Sequence, residues 1–295
     1  MSQTVWPKIT LVTAVYNGEE YLEQTIVSIV GQGYPNLEYI IVDDGSTDST
    51  VEIIRKYERQ VTCWFSQEKR GLYAALNAGF ARSTGVIMGW LNANDKLHTC
   101  GLFVVGSVFS AFPEVEWITG RPTVFNDQGM TVEVQEVPRW SRTRFLAGAN
   151  RHIQQESTFW KRELWVRAGG ALSTEYRAEG DFELWTRFFR YAKLYPVDAL
   201  IGGWRFHPNS LSHADVGLYD RNCDEILGRE LEGMEGYQGI KVFRQFDRVI
   251  RRVPKVRGLW QRVMVNNLRR YLYRVRSEDW PPIIEFRGDR WNFRR

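Results

Sequence analysis

The sequence has few cysteines and no long hydrophobic run. Its three cysteines, Cys63, Cys100 and Cys223, are far apart and lack paired or metal-ligand spacing, which argues against a disulfide framework and favours free thiols in a reducing compartment. The longest nearly apolar stretch, residues 100–112, is shorter than the ~20 residues that cross a bilayer. The first eight residues lack a basic segment followed by an apolar core, so we expect no secretory leader and a cytoplasmic protein.

The chain also lacks a large net charge, but its charges are unevenly distributed. The 295 residues carry 39 Lys and Arg and 35 Asp and Glu, a net charge of +4. Residues 241–295 hold 16 basic and 5 acidic side chains, which is +11 and leaves −7 for the first 240 residues. An acidic body without a nucleic-acid-binding module argues against a nucleic-acid partner.

Apolar runs and helical spacings alternate through the first hundred residues. We predict strands and helices in turn over residues 9–15, 22–30, 39–42, 51–57, 61–65, 72–83 and 86–91. Such alternation is typical of βαβ units, so we expect an α/β fold with a Rossmann-like, mostly parallel central sheet and helices on both faces. Further along, residues 115–137 alternate apolar and polar residues around a turn at residues 126–129, which predicts a hairpin.

Polar side chains follow two of these strands where each ends. Asn92, Asn94 and Asp95 come directly after the fourth predicted strand, and Asp43 and Asp44 come after the second. Ligands of open α/β sheets bind just beyond the carboxyl ends of the strands. Two adjacent carboxylates repel each other unless they bind a ligand or cap a helix, so both readings of Asp44 stay open: a helix cap, or an acceptor for a nucleobase or ribose.

Asp181 shares a predicted helix face with Leu184, Trp185 and Phe188. A carboxylate on this face points toward the interior or a cleft, and the helix dipole favours an anion in the first turn. Partial burial would tune it as a general base, whereas the alternative is an ordinary charge at a helix start. His207, which precedes a Pro-Asn turn, is by itself more typical of a surface or core residue than of a metal ligand.

The basic C-terminal region has apolar stripes surrounded by arginines. The stripes run through residues 242–253 and 259–275 and predict amphipathic helices rich in aromatic side chains. Such helices either lie on an anionic membrane surface or pack on the body with a solvated basic face, and the pattern leaves both open.

Seven segments, in this order along the chain, resemble the family 2 glycosyltransferases, which are inverting nucleotide-sugar enzymes of the GT-A fold. The segments are residues 15–17, 42–48, 71–79, 85–97, 155–159, 180–187 and 204–210. The resemblance covers about two-thirds of the chain. It implies a nucleotide-sugar-binding half at residues 1–98 and an acceptor-binding half at 99–215, and residues 216–295 remain as a basic, amphipathic helical C-terminal extension.

The resemblance also implies a role for individual residues. It makes Asp181 the catalytic base and implies a divalent cation, Mn²⁺ or Mg²⁺, bound by Asp95 and His207. It implies donor binding by Ala14, Tyr16, Asp43, Asp44, Gly71, Asn77, Asn92 and Asn94. It implies acceptor binding by Gln155, Glu156 and Trp185.

Three departures from the family pattern affect these expectations. Asn92 and Asn94 are amides in a motif that usually carries carboxylates, and hard cations prefer charged oxygens, so we expect a weakened metal site. Gly180 stands where many relatives have an acidic residue, and Ala74 replaces a common Asp. Neither of these two changes removes the predicted base.

The expected activity is transfer of a sugar from a UDP-, GDP- or dTDP-linked donor to a hydroxyl of a glycan or lipid-linked acceptor, with inversion. The expected setting is cell-surface polysaccharide synthesis at the inner face of the plasma membrane, with peripheral membrane contact. Two alternatives remain: a catalytically degenerate nucleotide-sugar-binding protein, suggested by Asn92 and Asn94, and a sugar nucleotidyltransferase. The latter needs a glycine-rich basic loop after the first strand, which residues 17–20 do not provide.

Overall fold

The computed structural model describes residues 5–148, 151–207, 216–232, 234, 240, 244 and 280–294. The strands in this part of the chain are β1 Ile9–Val15, β2 Leu37–Asp43, β3 Cys63–Ser66, β4 Ile87–Trp90, β5 Lys96–Leu97, β6 Trp117–Thr119, β7 Thr123–Phe125, β8 Thr131–Val134, β9 Thr158–Lys161, β10 Tyr195–Pro196, β11 Gly202–Arg205, β12 Ile283–Arg287 and β13 Arg290–Arg294. The helices are α1 Leu22–Val30, α2 Thr50–Lys56, α3 Leu72–Phe80, α4 Gly101–Ala111, α5 Arg142–Leu146, α6 Arg162–Arg167, α7 Gly180–Phe188 and α8 Val216–Glu232.

A seven-stranded sheet forms the centre of the protein. Its strand order is β10-β6-β9-β4-β1-β2-β3, with β1 parallel to both β2 and β4 and with β9 antiparallel to β4 and β6. Every residue of β1 is buried, as expected for a strand covered on both faces. The predicted α/β fold with a mostly parallel sheet and helices on both sides is therefore confirmed, and the carboxyl ends of β1, β2 and β4 meet at one edge.

A second, four-stranded sheet lies beside this edge. Its order is β5-β11-β7-β8, and β7 pairs with β8 antiparallel around the turn at residues 126–129. This is the predicted hairpin, and Gly129 adopts the left-handed conformation that the turn requires, with φ of 78°. β11 pairs with both β5 and β7, so it brings its last residues next to the loop after β4.

Tryptophan rings fill the core between α7 and the sheet. Trp185 stacks on Trp90 with ring centroids 5.7 Å apart and on Trp117 at 5.4 Å, while Trp160 packs edge-on against it. Because Trp185 is only 1% exposed, it is a core residue in this structure, and the predicted role in acceptor binding is corrected. The apolar face of α7 that contains Trp185 packs on the sheet, whereas Asp181 in the first turn is half-buried.

The C-terminal end of the chain differs from the expected helical extension. α8 is helical and contacts α7, but β12 and β13 form a β-hairpin around Gly288, whose φ is 72°. The hairpin packs on the body: Ile284 is fully buried, and Trp291 Nε1 donates a 2.8 Å hydrogen bond to Ser107 Oγ. The Gly-Asp turn is a hairpin signal, and with the fully buried Ile284 it explains the sheet structure here. The second predicted stripe and most of the first lie outside the described residues.

Within the described ranges, no helix is both long and apolar enough to cross a bilayer.

Candidate active site

Residues from five elements meet at the carboxyl edge of the central sheet. Tyr16 follows β1, Asp44 follows β2, residues 92–95 follow β4, and His207 follows β11. Asp181 lies in the first turn of α7, which packs against the same sheet. The fold therefore brings most of the predicted site residues to one edge of the sheet, and we call the space beyond this edge the cleft.

Asp43 and Asp44 shape the loops at this edge. Asp43 is buried and accepts a hydrogen bond from Ser46 N, whereas Asp44 is 3% exposed and accepts from Gln67 Nε2, Arg70 N and Gly71 N. Asp44 thus holds residues 67–71 in place rather than capping the helix that directly follows it. Direct contact of these two carboxylates with a donor stays a prediction.

The Tyr16 ring is the exposed aromatic surface of this region. Tyr16 is 43% exposed, and Lys69 Nζ lies 3.5 Å from its ring centroid as a cation–π partner. Gly71 has a φ of 92°, and no atom lies within 4 Å of the Cβ that another residue would carry there, so this backbone borders open space. Ala14 is buried in the sheet below.

Asn77 is not available to a donor. Its Nδ2 donates to Leu172 O at 2.9 Å, and its Oδ1 accepts from Leu172 N at 2.8 Å. Both ends of the amide therefore bind the backbone of one residue, which ties α3 to the loop after α6. The prediction that Asn77 binds the donor is corrected, since its side chain has a structural role.

Asp95 is turned away from the cleft. It is 0% exposed, its Oδ1 accepts from Arg205 N at 2.8 Å, and its Oδ2 accepts from Asn92 Nδ2 at 3.1 Å. Burial raises the pKa of Asp95 to about 6, and its contacts with Arg205, Asn92 and Glu156 oppose part of this rise. Residues 92–95 are called the donor loop after their predicted role. The carboxylate joins this loop to β11 and does not offer a free oxygen to a cation.

Arg205 is a fully buried cation behind the loop. Its guanidinium donates to Asn94 O at 2.6 Å and to the carbonyl of Asp127 at 2.7 Å, and it also contacts Gln24 Oε1 at 2.9 Å. Within the described residues, its guanidinium has hydrogen-bond partners that are all neutral oxygens. Arg205 was not among the predicted site residues, and its only sequence signal is a charge inside an otherwise apolar strand.

Asn94 and His207 bind each other at the front of the loop. Asn94 Nδ2 lies 2.8 Å from His207 Nε2, and the ring of His207 packs against Tyr21 with centroids 5.2 Å apart. The amide oxygen of Asn92 is buried and has no hydrogen-bond partner in the described part of the chain. This oxygen is therefore a buried acceptor of the donor loop that no group among the described residues satisfies.

A divalent cation does not fit this set of residues. Asp95 uses both oxygens internally, the ring nitrogen of His207 faces an amide N–H, and Arg205 places a positive charge behind them. No group of three or more His, Cys, Asp and Glu with metal-site geometry occurs among the described residues. The predicted cation site at Asp95 and His207 is therefore not supported by the arrangement of these side chains.

Gln155 and Glu156 lie beneath the donor loop. They belong to the short 3₁₀ helix Gln155–Ser157 and are 6% and 7% exposed. Gln155 Nε2 donates to Trp90 O, and its Oε1 accepts from Asn92 Nδ2. Burial, and then the nearby charge of Asp95, raise the pKa of Glu156. The predicted acceptor contacts of both residues are corrected, because their side chains support the loop from below.

Asp181 is the carboxylate that remains available in the cleft. Its Oδ1 accepts from the N–H of Phe182 at 2.7 Å, and Oδ2 has no hydrogen-bond partner among the described residues. Desolvation by burial raises its pKa to about 7, the Phe182 N–H opposes this, and the charge of Glu179 adds to it. A carboxyl group with a pKa near neutrality and one unengaged oxygen can accept a proton at physiological pH.

Side chains from α3 and α8 enclose Asp181. A Cβ at Gly180 would lie 2.6 Å from the ring of Tyr73, which explains why a glycine precedes the carboxylate here. Tyr219 and Cys223 of α8 are close enough for the charge of Asp181 to raise the pKa of both, although burial is the larger cause in each. The Tyr219 ring also stacks on His152. Tyr219 was not among the predicted site residues, since helical spacing does not reveal which distant element α8 packs on.

Known proteins share this fold and part of this sequence. The profile described as glycosyl transferase family 2 matches residues 10–99. An uncharacterised glycosyltransferase of Haemophilus influenzae is 39% identical over 100 residues, which is 31% of this chain and 40% of that protein. The poly-beta-1,6-N-acetyl-D-glucosamine synthase of Staphylococcus epidermidis is 27% identical over 212 residues, 69% of this chain and 51% of that protein. The matches thus span about half of these relatives, or less.

Solved structures agree with the fold. S. aureus TarS in complex with UDP-GlcNAc superposes with a TM-score of 0.65 at 16% identity, covering 77% of this chain and 67% of that one. The mannosyltransferase PcManGT of Pyrobaculum calidifontis, in complex with GDP-Man and Mn²⁺, superposes with a TM-score of 0.58 at 19% identity, covering 82% and 69%. At these identities the likeness establishes the GT-A fold alone.

Proposed function

Since the chain belongs to the family 2 glycosyltransferases, we propose that it transfers a sugar from a nucleotide-diphosphate donor to a hydroxyl of a glycan or lipid-linked acceptor, with inversion. Residues 1–98 would bind the donor and residues 99–215 the acceptor. The observation that carries the proposal is Asp181, a desolvated carboxyl group with one unengaged oxygen and a pKa of about 7 at the edge where the donor loops meet.

The proposed reaction is a direct displacement. Oδ2 of Asp181 accepts the proton of the acceptor hydroxyl while that oxygen forms a bond to the anomeric carbon. The bond from this carbon to the diphosphate oxygen breaks at the same time, and its electron pair leaves with the nucleotide diphosphate. Attack opposite to the leaving group inverts the configuration of the anomeric carbon. The base is protonated at the end of the step and returns its proton to water.

Two features of the cleft support donor binding. The ring of Tyr16 is 43% exposed, and a nucleobase can stack on the ring face opposite the one that Lys69 covers. The unpartnered oxygen of Asn92 can accept a hydrogen bond from a ribose hydroxyl. TarS was solved with UDP-GlcNAc and PcManGT with GDP-Man, and a donor linked to UDP, GDP or dTDP is the corresponding proposal here.

We assign no role to a divalent cation, and its effect on donor binding remains to be measured. PcManGT was solved with Mn²⁺, and such an ion would neutralise the leaving diphosphate. The side chains at the corresponding loop do not fit it, as described above, so no step of the reaction is assigned to a metal.

One observation favours a second candidate, a nucleotide-sugar-binding protein without transfer activity. The donor loop carries the amides Asn92 and Asn94 where the family pattern has carboxylates. Thermal-shift screening of a panel of nucleotide sugars would identify the donor under either function. The rate of donor consumption, measured with and without an acceptor, then separates the two: an enzyme consumes donor faster with acceptor, and a binding protein does not.

The stereochemical part of the proposal needs its own measurement. Proton NMR of the transfer product would give the anomeric configuration of the new glycosidic bond, which does not mutarotate. A configuration opposite to that of the donor supports the single displacement by Asp181. Retention would exclude this mechanism, because it requires two displacements or a different nucleophile.

We further propose that the product belongs to a surface polysaccharide and that residues 241–295 contact an anionic membrane at its inner face. The S. epidermidis relative, a polysaccharide synthase, and the charge of +11 support this. The expected result is sedimentation with anionic liposomes that decreases as salt rises, since surface charges are screened over about 10 Å at 0.1 M. Equal recovery with anionic and neutral liposomes would assign the basic residues to the protein surface instead.

A further inference from the structure

The donor loop of this chain presents hydrogen-bond donors where a metal site would present anions. Asn94 is neutral, and its Nδ2 lies 2.8 Å from His207 Nε2. An imidazole nitrogen binds either a proton donor or a metal with the same lone pair, so Nε2 of His207 cannot accept from Asn94 and bind a cation at the same time. Both side chains border the cleft at the point where β4 and β11 end.

The charge behind the loop has the same effect. Arg205 is fully buried, and its Nε donates to the carbonyl of Asn94, which places the guanidinium directly under the residue that would face the ligand. A buried like charge opposes a divalent cation and attracts an anion through a low-dielectric surrounding. Asp95, the loop's carboxylate, is bound to Arg205 N and Asn92 Nδ2 inside the protein.

We propose that this protein binds the diphosphate of its nucleotide donor without a divalent cation. In this arrangement Asn94 and His207 donate hydrogen bonds to the phosphate oxygens, and the fixed charge of Arg205 stabilises them from behind. The inference rests on the proposed function, because it concerns the same donor. We therefore expect that a single carboxylate introduced at position 94 makes diphosphate binding depend on a cation.

Calorimetric titration of the full-length protein with UDP, GDP and dTDP tests this. For the nucleotide that binds, the expected Kd agrees within about twofold in Mn²⁺, in Mg²⁺ and in chelator. Binding at least tenfold tighter with Mn²⁺ than with chelator would overturn the inference and leave the proposed function intact. If none of the three nucleotides binds under any condition, the proposed function fails.

A variant and its control test whether Asn94 is responsible for the independence from cations. Asn94→Asp is expected to bind at least tenfold more tightly with Mn²⁺ than with chelator, because the new carboxylate can bind a cation. Asn36→Asp, at an exposed position at the opposite end of the sheet, adds the same charge and is expected to remain independent of Mn²⁺. An Asn94→Asp protein that stays folded and metal-independent would contradict the role given to Asn94.

Arg205→Gln examines the buried charge. It keeps hydrogen-bonding capacity but removes the cation, and in chelator we expect at least fivefold weaker diphosphate binding than for the wild type. Its melting temperature is measured in parallel, since the arginine also holds the loop. A folded Arg205→Gln protein with unchanged affinity would contradict the contribution of Arg205, and the Asn94→Asp result decides the inference if this variant does not fold.

Discussion

Asp95 and Asp181 are desolvated carboxyl groups at the same edge of the sheet, but Asp95 is fully buried and Asp181 is half-buried. Burial raises the pKa of Asp95 to about 6 and that of Asp181 to about 7. Both oxygens of Asp95 accept hydrogen bonds from other elements, whereas Asp181 accepts one from the next residue and has a second oxygen unengaged among the described residues. Desolvation alone therefore does not identify a base. The distinguishing property is a carboxylate oxygen that accepts no hydrogen bond from the protein.

The largest expected effect separates the two residues by activity. Asp181→Asn removes the proton acceptor but keeps the size of the side chain and the oxygen that accepts from Phe182 N. We expect turnover to fall by about 10²-fold or more while the Kd of the donor stays nearly unchanged. Steady-state rates and calorimetry of the same preparation measure both. Turnover within a few-fold of wild type would remove Asp181 from the mechanism.

The pH dependence of the rate sharpens the comparison. A base acts only when deprotonated, so kcat/KM should fall about tenfold per pH unit below pH 7, where Asp181 becomes protonated. The charged groups that interact with it are Glu179 in its own turn and Glu156 below the loop. In Asp181→Asn, the fall of kcat/KM on the acidic side of the pH profile should disappear. An unchanged fall in this variant would assign the titration to another group.

Asp95 should instead show its effect in stability. Asp95→Ala leaves the buried N–H of Arg205 and the amide of Asn92 without their acceptor. An unmet buried donor costs about 1–3 kcal/mol, so we expect a melting temperature roughly 5 °C lower. Asp127→Ala, at an exposed position beside the same loop, is the control and should lie within about 1 °C of wild type. An Asp95→Ala protein as stable as this control would contradict the structural role.

The smallest expected effect concerns the stability of the base itself. The folded-state pKa of Asp181 is raised above its unfolded value, so the folded protein loses stability as pH rises from about 4 to about 7. Asparagine is not subject to this loss. Asp181→Asn should therefore melt a few degrees higher than wild type at pH 8 and at about the same temperature at pH 4. A lower melting temperature at pH 8 would mean that the carboxylate is stabilised by contacts.

The amino-terminal half and the position of the site could be predicted from the sequence because their signals are local. The apolar runs of β1, β2 and β4 each end on polar residues, and parallel strands bring those ends together. The helical spacing after Gly180 also placed Asp181 correctly on a helix. These inferences need no knowledge of distant contacts.

The predictions that were wrong concern the direction in which individual side chains point. Trp185 shares a helix face with Asp181, but one turn of α7 along this face leads from the cleft into the core. Asp95 is held by Arg205, which is 110 residues away along the chain, and Asn77 by Leu172, which is 95 residues away. Spacing cannot reveal such partners, because they are set by the packing of the second sheet and of the loop after α6. The hairpin at residues 283–294 was missed, since the basic region was interpreted as helical throughout.

The central claim, that burial tunes Asp181 to accept a proton near neutral pH, has one direct test. In protein labelled with ¹³C at the aspartate carboxyl groups, the resonance absent from Asp181→Asn identifies Asp181, and its chemical shift is followed with pH. The account predicts a midpoint at about pH 7. A midpoint near 4, the ordinary value for an aspartate, would contradict it.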